Sequence, residues 1–178
     1  NDGDIDILGS ARRDDEVHWW ENDGSESFTE MVIDDNFDGA EGIYPIDLDK
    51  DGDMDVLGVA NAADDVVWWE NTATFSFTPS WTSRSVSTSL DGPNSVHVAD
   101  LDNDGDLDIV ASINRDNQVA WYENDGSPSD GGWTYRLVAD YSDPPSYQSG
   151  MEYVHVADID DDGDLDILAA RGGSSEAG

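Results

Sequence analysis

A nine-residue acidic segment occurs three times in the chain and constrains the fold more than any other feature. The copies span residues 47–55, 100–108 and 158–166, and each has the pattern Asp-x-Asp-x-Asp-Gly-Asp-x-Asp. Residues 1–6 carry the last two thirds of the same pattern. The glycines of the four copies are Gly3, Gly52, Gly105 and Gly163. Their spacing indicates an internal repeat of about 50 residues, a period typical of solenoids and propellers.

Each repeat unit also contains short apolar or aromatic runs that are bounded by turn residues. An Ile/Leu/Val run follows the acidic segment, and an aromatic run with the pattern Trp-Trp/Tyr-Glu-Asn follows that. The aromatic runs are residues 17–22, 66–71 and 119–124. Short runs rich in Val, Ile, Trp and Tyr between turn residues predict β-strands. No segment combines a sustained helical period with caps, so we predict an all-β chain.

The number of runs in each unit predicts the architecture. Each complete unit has two further short runs, such as residues 133–138 and 95–99, which brings the count to four strands. Four strands in a unit indicate tandem four-stranded antiparallel blades of the β-propeller type. We expect residues 1–178 to form a single repeat array, with units at about 1–42, 43–94, 95–152 and 153–178. The first and last units are truncated, which leaves about three and a third repeats. We therefore expect an incomplete propeller whose partners are other copies or the rest of a longer chain.

The acidic segments have the residue types and the spacing of calcium loops. Ca²⁺ takes about six to eight oxygen ligands, and carboxylates at positions 1, 3 and 5 converge when the glycine at position 6 lets the chain curl. A main-chain carbonyl at position 7 and a carboxylate at position 9 complete the protein ligands. The predicted ligands of three complete sites are Asp47, Asp49, Asp51, Asp53 and Asp55; Asp100, Asp102, Asp104, Asp106 and Asp108; and Asp158, Asp160, Asp162, Asp164 and Asp166. A fourth, partial site retains Asp2, Asp4 and Asp6.

Other interpretations of the acidic segments fit less well. An EF-hand needs an acidic ligand at position 12, where this chain has Gly58, Ala111 and Ala169. Magnesium prefers its own waters to an all-protein cage, and zinc prefers Cys and His. A solvated acidic turn has no reason to recur in phase with a 50-residue repeat. We therefore predict Ca²⁺ as the cofactor.

The charge of the chain excludes some partners. It has 42 acidic and 7 basic residues, which gives a formal net charge of −35. Recognition of phosphates needs Lys and Arg, so we expect no nucleic-acid partner. No apolar run approaches the length of a membrane span. Dense like charge also destabilises a compact fold, and bound cations would relieve that repulsion.

The sequence contains no established catalytic motif, and we expect no enzymatic activity. His97 and His155 occupy equivalent positions in their units, where the second unit has Tyr44, and they form no triad. Adjacent aromatic residues such as Trp68 and Trp69 point to opposite faces of a strand. We expect these aromatic pairs to pack between blades, although a sugar-stacking surface is an alternative.

The acidic loop, the apolar run after it and the Trp-Trp/Tyr-Glu-Asn run together resemble the FG-GAP or VCBS-type repeat over nearly the whole chain. That repeat builds the calcium-bearing propellers of integrin α subunits and of many secreted bacterial proteins. The resemblance implies four-stranded blades, each with an ion in the loop between its first two strands. It also implies an extracellular or cell-surface location, and a structural, adhesive or assembly role with a protein or glycan ligand. A carbohydrate-binding propeller and the non-catalytic part of a larger secreted enzyme are the alternatives.

Overall fold

The computed structural model describes residues 3–73, 79–142 and 150–172. Within these ranges the chain forms thirteen β-strands and one short 3₁₀-helix, Pro128–Asp130, and no α-helix. The strands are β1 (Ile7–Ala11), β2 (Glu16–Asn22), β3 (Phe28–Asp34), β4 (Ala40–Ile46), β5 (Asp55–Ala60), β6 (Asp65–Asn71), β7 (Trp81–Ser87), β8 (Pro93–Ala99), β9 (Asp108–Ile113), β10 (Gln118–Asn124), β11 (Trp133–Asp140), β12 (Met151–Ala157) and β13 (Asp166–Arg171). The predicted all-β class is confirmed.

The strands form four antiparallel sheets in the described part of the chain. Strands β4–β7 and β8–β11 each form a four-stranded sheet in which every strand pairs with the next one in sequence. Strands β1–β3 form a three-stranded sheet, and β12 pairs with β13. The first strands of successive sheets, β4, β8 and β12, lie beside one another. Among the described residues these sheets do not close into a ring, in agreement with the predicted incomplete array of propeller-type blades.

Successive sheets are joined at the end of the blades opposite the acidic segments. The turn between β1 and β2 contains Asp15, whose carboxylate accepts a hydrogen bond from the N–H of Gly39 at 2.9 Å. The turn between β5 and β6 places Asp64 in the equivalent position, and it accepts from the N–H of Gly92 at 2.9 Å. Each of these carboxylates therefore fixes the position of the glycine that precedes the first strand of the following sheet.

The hydrophobic core lies between the sheets, as it must when a sheet buries both faces. Trp68 packs in the cluster between β4–β7 and β8–β11, and Trp69 packs in the cluster between β1–β3 and β4–β7. Both indoles are at most 1% exposed. A third cluster, which contains Val119 and Val154, lies between β8–β11 and the β12–β13 pair. The adjacent tryptophans of β6 thus serve two different interfaces, as their positions on one strand require.

Candidate metal centres

Each acidic segment forms the loop between the first two strands of its sheet. The loop of residues 47–54 leaves β4 at Ile46 and returns at Asp55, and these two residues are paired across the strands. The pattern glycine, Gly52, has a φ of 98°, a conformation that glycine adopts without a Cβ clash. Gly105 and Gly163 have φ values of 98° and 96°. The glycines therefore make the same tight curl in all three loops.

The curl brings together the carboxylates at positions 1, 3 and 9. In each loop, one oxygen from each of these three residues lies within 4.8 Å of the others. The three groups among the described residues are Asp47, Asp49 and Asp55; Asp100, Asp102 and Asp108; and Asp158, Asp160 and Asp166. The spacing of their oxygens suits convergence on one cation, and every donor is an oxygen, as hard divalent cations prefer.

The carboxylate at position 9 is held by two backbone N–H groups. Asp55 accepts from Leu48 at 3.0 Å and from Asn71, the last residue of β6, at 2.8 Å. Asp108 accepts from the equivalent residues Leu101 and Asn124, both at 2.9 Å. One bond comes from the loop and the other from the third strand of the sheet. These two hydrogen bonds therefore fix the position of the ninth side chain.

The carboxylate at position 1 has a buried oxygen that suits a cation. One oxygen of Asp47 accepts from the N–H of Gly52 at 3.1 Å, and one oxygen of Asp100 accepts from Gly105 at 3.1 Å. The second oxygen of each is buried and has no hydrogen-bond partner among the described residues. A buried carboxylate oxygen without a partner is costly. A cation inside the cluster would satisfy it, so these residues fit the predicted ion.

Burial also disfavours the negative charge of these loops in the absence of a cation. Burial raises the pKa of Asp55 to about 6, although the N–H groups of Asn71 and Leu48 and the Trp68 side chain act in the opposite direction. Burial likewise raises the pKa of Asp108. The pKa of Asp49 is raised first by burial and then by repulsion from neighbouring carboxylates. The described protein groups therefore do not fully offset the cost of this charge.

The remaining predicted carboxylate ligands, those at position 5, are not members of the three clusters. The carboxylates at position 5 accept hydrogen bonds from the N–H at position 7 of their own loops. The distances are 2.9 Å from Asp53 to Asp51, 2.8 Å from Asp106 to Asp104, and 2.9 Å from Asp164 to Asp162. These carboxylates stabilise the curl of the loop. The Asp106 carboxylate lies beside Gly126, close enough that a Cβ on that glycine would come within 2.8 Å of it.

The predicted partial site at the start of the chain has fewer of the features seen in the three complete loops. Asp2 lies outside the described residues. Asp4 and Asp6 are exposed, and the described residues do not place them in a cluster of three acidic groups. Asp6 nevertheless accepts from the N–H of Asn22 at 2.8 Å, which repeats the anchoring seen at Asp55 and Asp108.

The asparagine at the end of each aromatic strand is a site residue that the ligand pattern did not identify. Besides its N–H bond to Asp108, Asn124 donates from Nδ2 to the carbonyl of Leu107 at 3.1 Å. Its Oδ1 accepts from the N–H of Gly126 at 3.1 Å. Asn124 is 2% exposed and ties the loop to the following turn. The recurrence of this asparagine at the same place in three units is the feature of the sequence that could have identified it.

No helix in the described ranges has the length and apolar character needed to cross a membrane.

Comparison with known proteins gives one family. No curated protein matches the chain. Residues 1–58, 47–111 and 107–169 each match the FG-GAP-like repeat. These three segments contain the acidic loops and strands β1–β12, and together they span most of the sequence. The chain therefore belongs to the FG-GAP-like repeat family.

Proposed function

We propose that this chain is a calcium-binding, propeller-type repeat module that acts outside the cell or at its surface. Its role in this proposal is structural, adhesive or in assembly, and it is not an enzyme. The observation that carries the proposal is the convergence of three carboxylates in each loop, with an unpartnered buried oxygen at Asp47 and at Asp100. Other copies, the rest of a longer chain, or a protein ligand are the proposed partners.

The proposed ion would connect parts of the sheet that are distant in sequence. When bound, it would supply a double positive charge at a place where the protein concentrates carboxylates. Asp55 already joins the loop to the end of β6 through Asn71. An ion at the cluster would link Asp47 and Asp49 to Asp55 and reduce the self-repulsion of a chain with a net charge of −35. Calcium thus favours an ordered, stiff blade, which suits a structural or adhesive role.

Thermal unfolding with and without the ion tests this proposal. At ~2 mM calcium and a Kd of ~10⁻⁴ M, each site adds ~1.8 kcal/mol to the free energy of unfolding, and three independent sites add ~5 kcal/mol. We expect the melting temperature to be clearly higher in calcium than in chelator. Magnesium at the same concentration is the control and should stabilise much less. Identical melting curves in calcium and chelator would contradict the proposal.

A cleft between the first two sheets supports a second candidate function, the binding of a glycan. This cleft has a volume of about 380 Å³ and lies between β1–β3 and β4–β7. Trp19 and Trp81 contribute aromatic surface, and Glu21 and Asp53 contribute carboxylates that can accept hydrogen bonds from hydroxyl groups. Concave sites with apolar walls and a few polar groups are typical of ligand pockets.

A glycan array tests the second candidate directly. Binding of a sugar by the wild type, with loss of that binding in Trp81→Ala and retained calcium-dependent melting, would support the cleft as its site. An array without any bound glycan would remove the candidate and leave the calcium proposal unaffected.

A further inference from the structure

The single lysine of the chain occupies a variable position in the first complete loop. Lys50 is residue 4 of the loop 47–55, and the equivalent residues in the next two loops are Asn103 and Asp161. The three residues have φ values of 61°, 59° and 60°. The loops therefore have the same backbone at this position and differ only in the side chain that it carries.

The side chain of Lys50 extends to the loop of the following sheet. Its ammonium group donates to the carbonyl of Gly105 and lies 3.6 Å from a carboxylate oxygen of Asp106. Both acceptors belong to the loop 100–108, whose carboxylates at positions 1, 3 and 9 form the second cluster. Lys50 thus brings a positive charge to a proposed cation site on a different sheet.

We propose that Lys50 is a tethered counter-ion that competes electrostatically with the divalent cation of the loop 100–108. In the metal-free protein, Lys50 offsets part of the repulsion among the five carboxylates of that loop. Its positive charge also repels an incoming cation. Lys50 therefore stabilises the metal-free state and lowers the calcium affinity of this site. This inference rests on the proposed calcium-binding function.

The sign of the effect follows from linkage between the two cations. The attraction between Lys50 and the loop is strongest when the loop has its full negative charge, and it weakens when a divalent ion binds. A unit charge this close to a partly exposed site changes the affinity by ~3- to 10-fold. Many exposed ion pairs contribute little to stability. The affinity of the neighbouring site is therefore a more specific measurement than stability alone.

The residue at the equivalent position of the next loop suggests the substitution for the test. Asn103 is the equivalent of Lys50 and has the same backbone conformation, so Lys50→Asn should fold without strain. In this variant, calorimetric titration with calcium should show one site with ~3- to 10-fold higher affinity. Its melting temperature in chelator should fall. The gain in affinity should shrink at ~0.5 M salt, because salt screens exposed charges.

Three further variants locate the effect. Arg12→Met removes one positive charge at the opposite end of the sheets, where Arg12 pairs with Glu41 at 2.6 Å, and should leave calcium affinity unchanged. Asn103→Lys should transfer the competition and lower the affinity of the loop 158–166. When Asp102→Asn has already weakened the loop 100–108, adding Lys50→Asn should leave the affinities of the other sites unchanged.

The outcomes separate this inference from the proposed function. Equal calcium affinities in the wild type and in Lys50→Asn would overturn the inference and leave calcium binding intact. An equal gain in Arg12→Met would also overturn it, because the effect would then reflect total charge. If the wild type bound no calcium, both the proposed function and the inference would fall.

Discussion

At the residue scale, aspartates at alternate positions of one loop have different surroundings. The carboxylate of Asp49 belongs to the converging cluster with Asp47 and Asp55. Asp53, four residues later, lies outside that cluster and lines the cleft between the first two sheets. In the proposed site Asp53 contributes its main-chain carbonyl, which a change of side chain leaves in place. The two residues form a matched pair, since both are aspartates of the same loop.

We predict that Asp49→Asn weakens calcium binding at its loop by ~10- to 100-fold or more. Removing a residue that only supports a metal ligand already costs that much, and Asp49 is a proposed ligand itself. Asp53→Asn removes the same charge without removing a ligand, and should change the affinity much less. Calorimetric titration of both variants checks this. Equal losses would show that charge alone, and not the geometry of the loop, decides the affinity.

At the scale of the elements, a glycine and a tryptophan on paired strands fit together across β5 and β6. A Cβ on Gly58 would lie 2.7 Å from the ring of Trp69, so the indole covers the bare backbone at that position. Gly9 and Trp20 have the same relation, also at 2.7 Å. The equivalent pair in the third sheet is Ala111 and Tyr122. A smaller aromatic ring thus accompanies the added methyl group.

Gly58→Ala should therefore destabilise the protein by ~1–3 kcal/mol, the usual cost of overpacking a core. Adding Trp69→Tyr to this variant recreates the pair of the third sheet and should recover part of the loss. Denaturant unfolding of the two single variants and the double variant measures the coupling. Strictly additive effects would mean that the two side chains do not share this space.

At the scale of the whole molecule, aromatic rings on the first strands of three successive sheets form a column. Tyr44 on β4 and His97 on β8 have ring centroids 5.2 Å apart, and His97 and His155 on β12 are 4.4 Å apart. Burial lowers the pKa of His97, and the nearby His155 lowers it further. The unfolded chain therefore binds a proton at this histidine more readily than the folded protein does.

This difference predicts a loss of stability in acid. As the pH falls below about 6.5, the ordinary pKa of histidine, His97 is protonated first in the unfolded state, so the free energy of unfolding decreases. His97→Gln lacks this contribution and should lose less stability than the wild type. Unfolding of both proteins between pH ~7.5 and ~5.5, in saturating calcium, checks the prediction. Parallel stability curves would contradict it.

The local features of the protein could be predicted from its amino-acid sequence. The spacing of Asp and Gly in nine residues was enough to predict a curled loop. The conformation of such a loop depends on a glycine with positive φ and on side chains only a few residues away from it. Short Val- and Trp-rich runs between turns were enough to predict the strands, since their pattern is also local. The carboxylates of Asp47, Asp49 and Asp55 converge, and these are three of the four carboxylate ligands that the pattern predicted for this loop.

The surroundings of each loop depend on how the sheets pack against one another. Asp55 is 1% exposed, and its carboxylate accepts a hydrogen bond from Asn71 at the end of β6. The contact from Lys50 to Gly105 joins residues 55 positions apart. Burial and long-range charge depend on which sheets pack side by side, and the spacing of residues within one repeat does not contain that information.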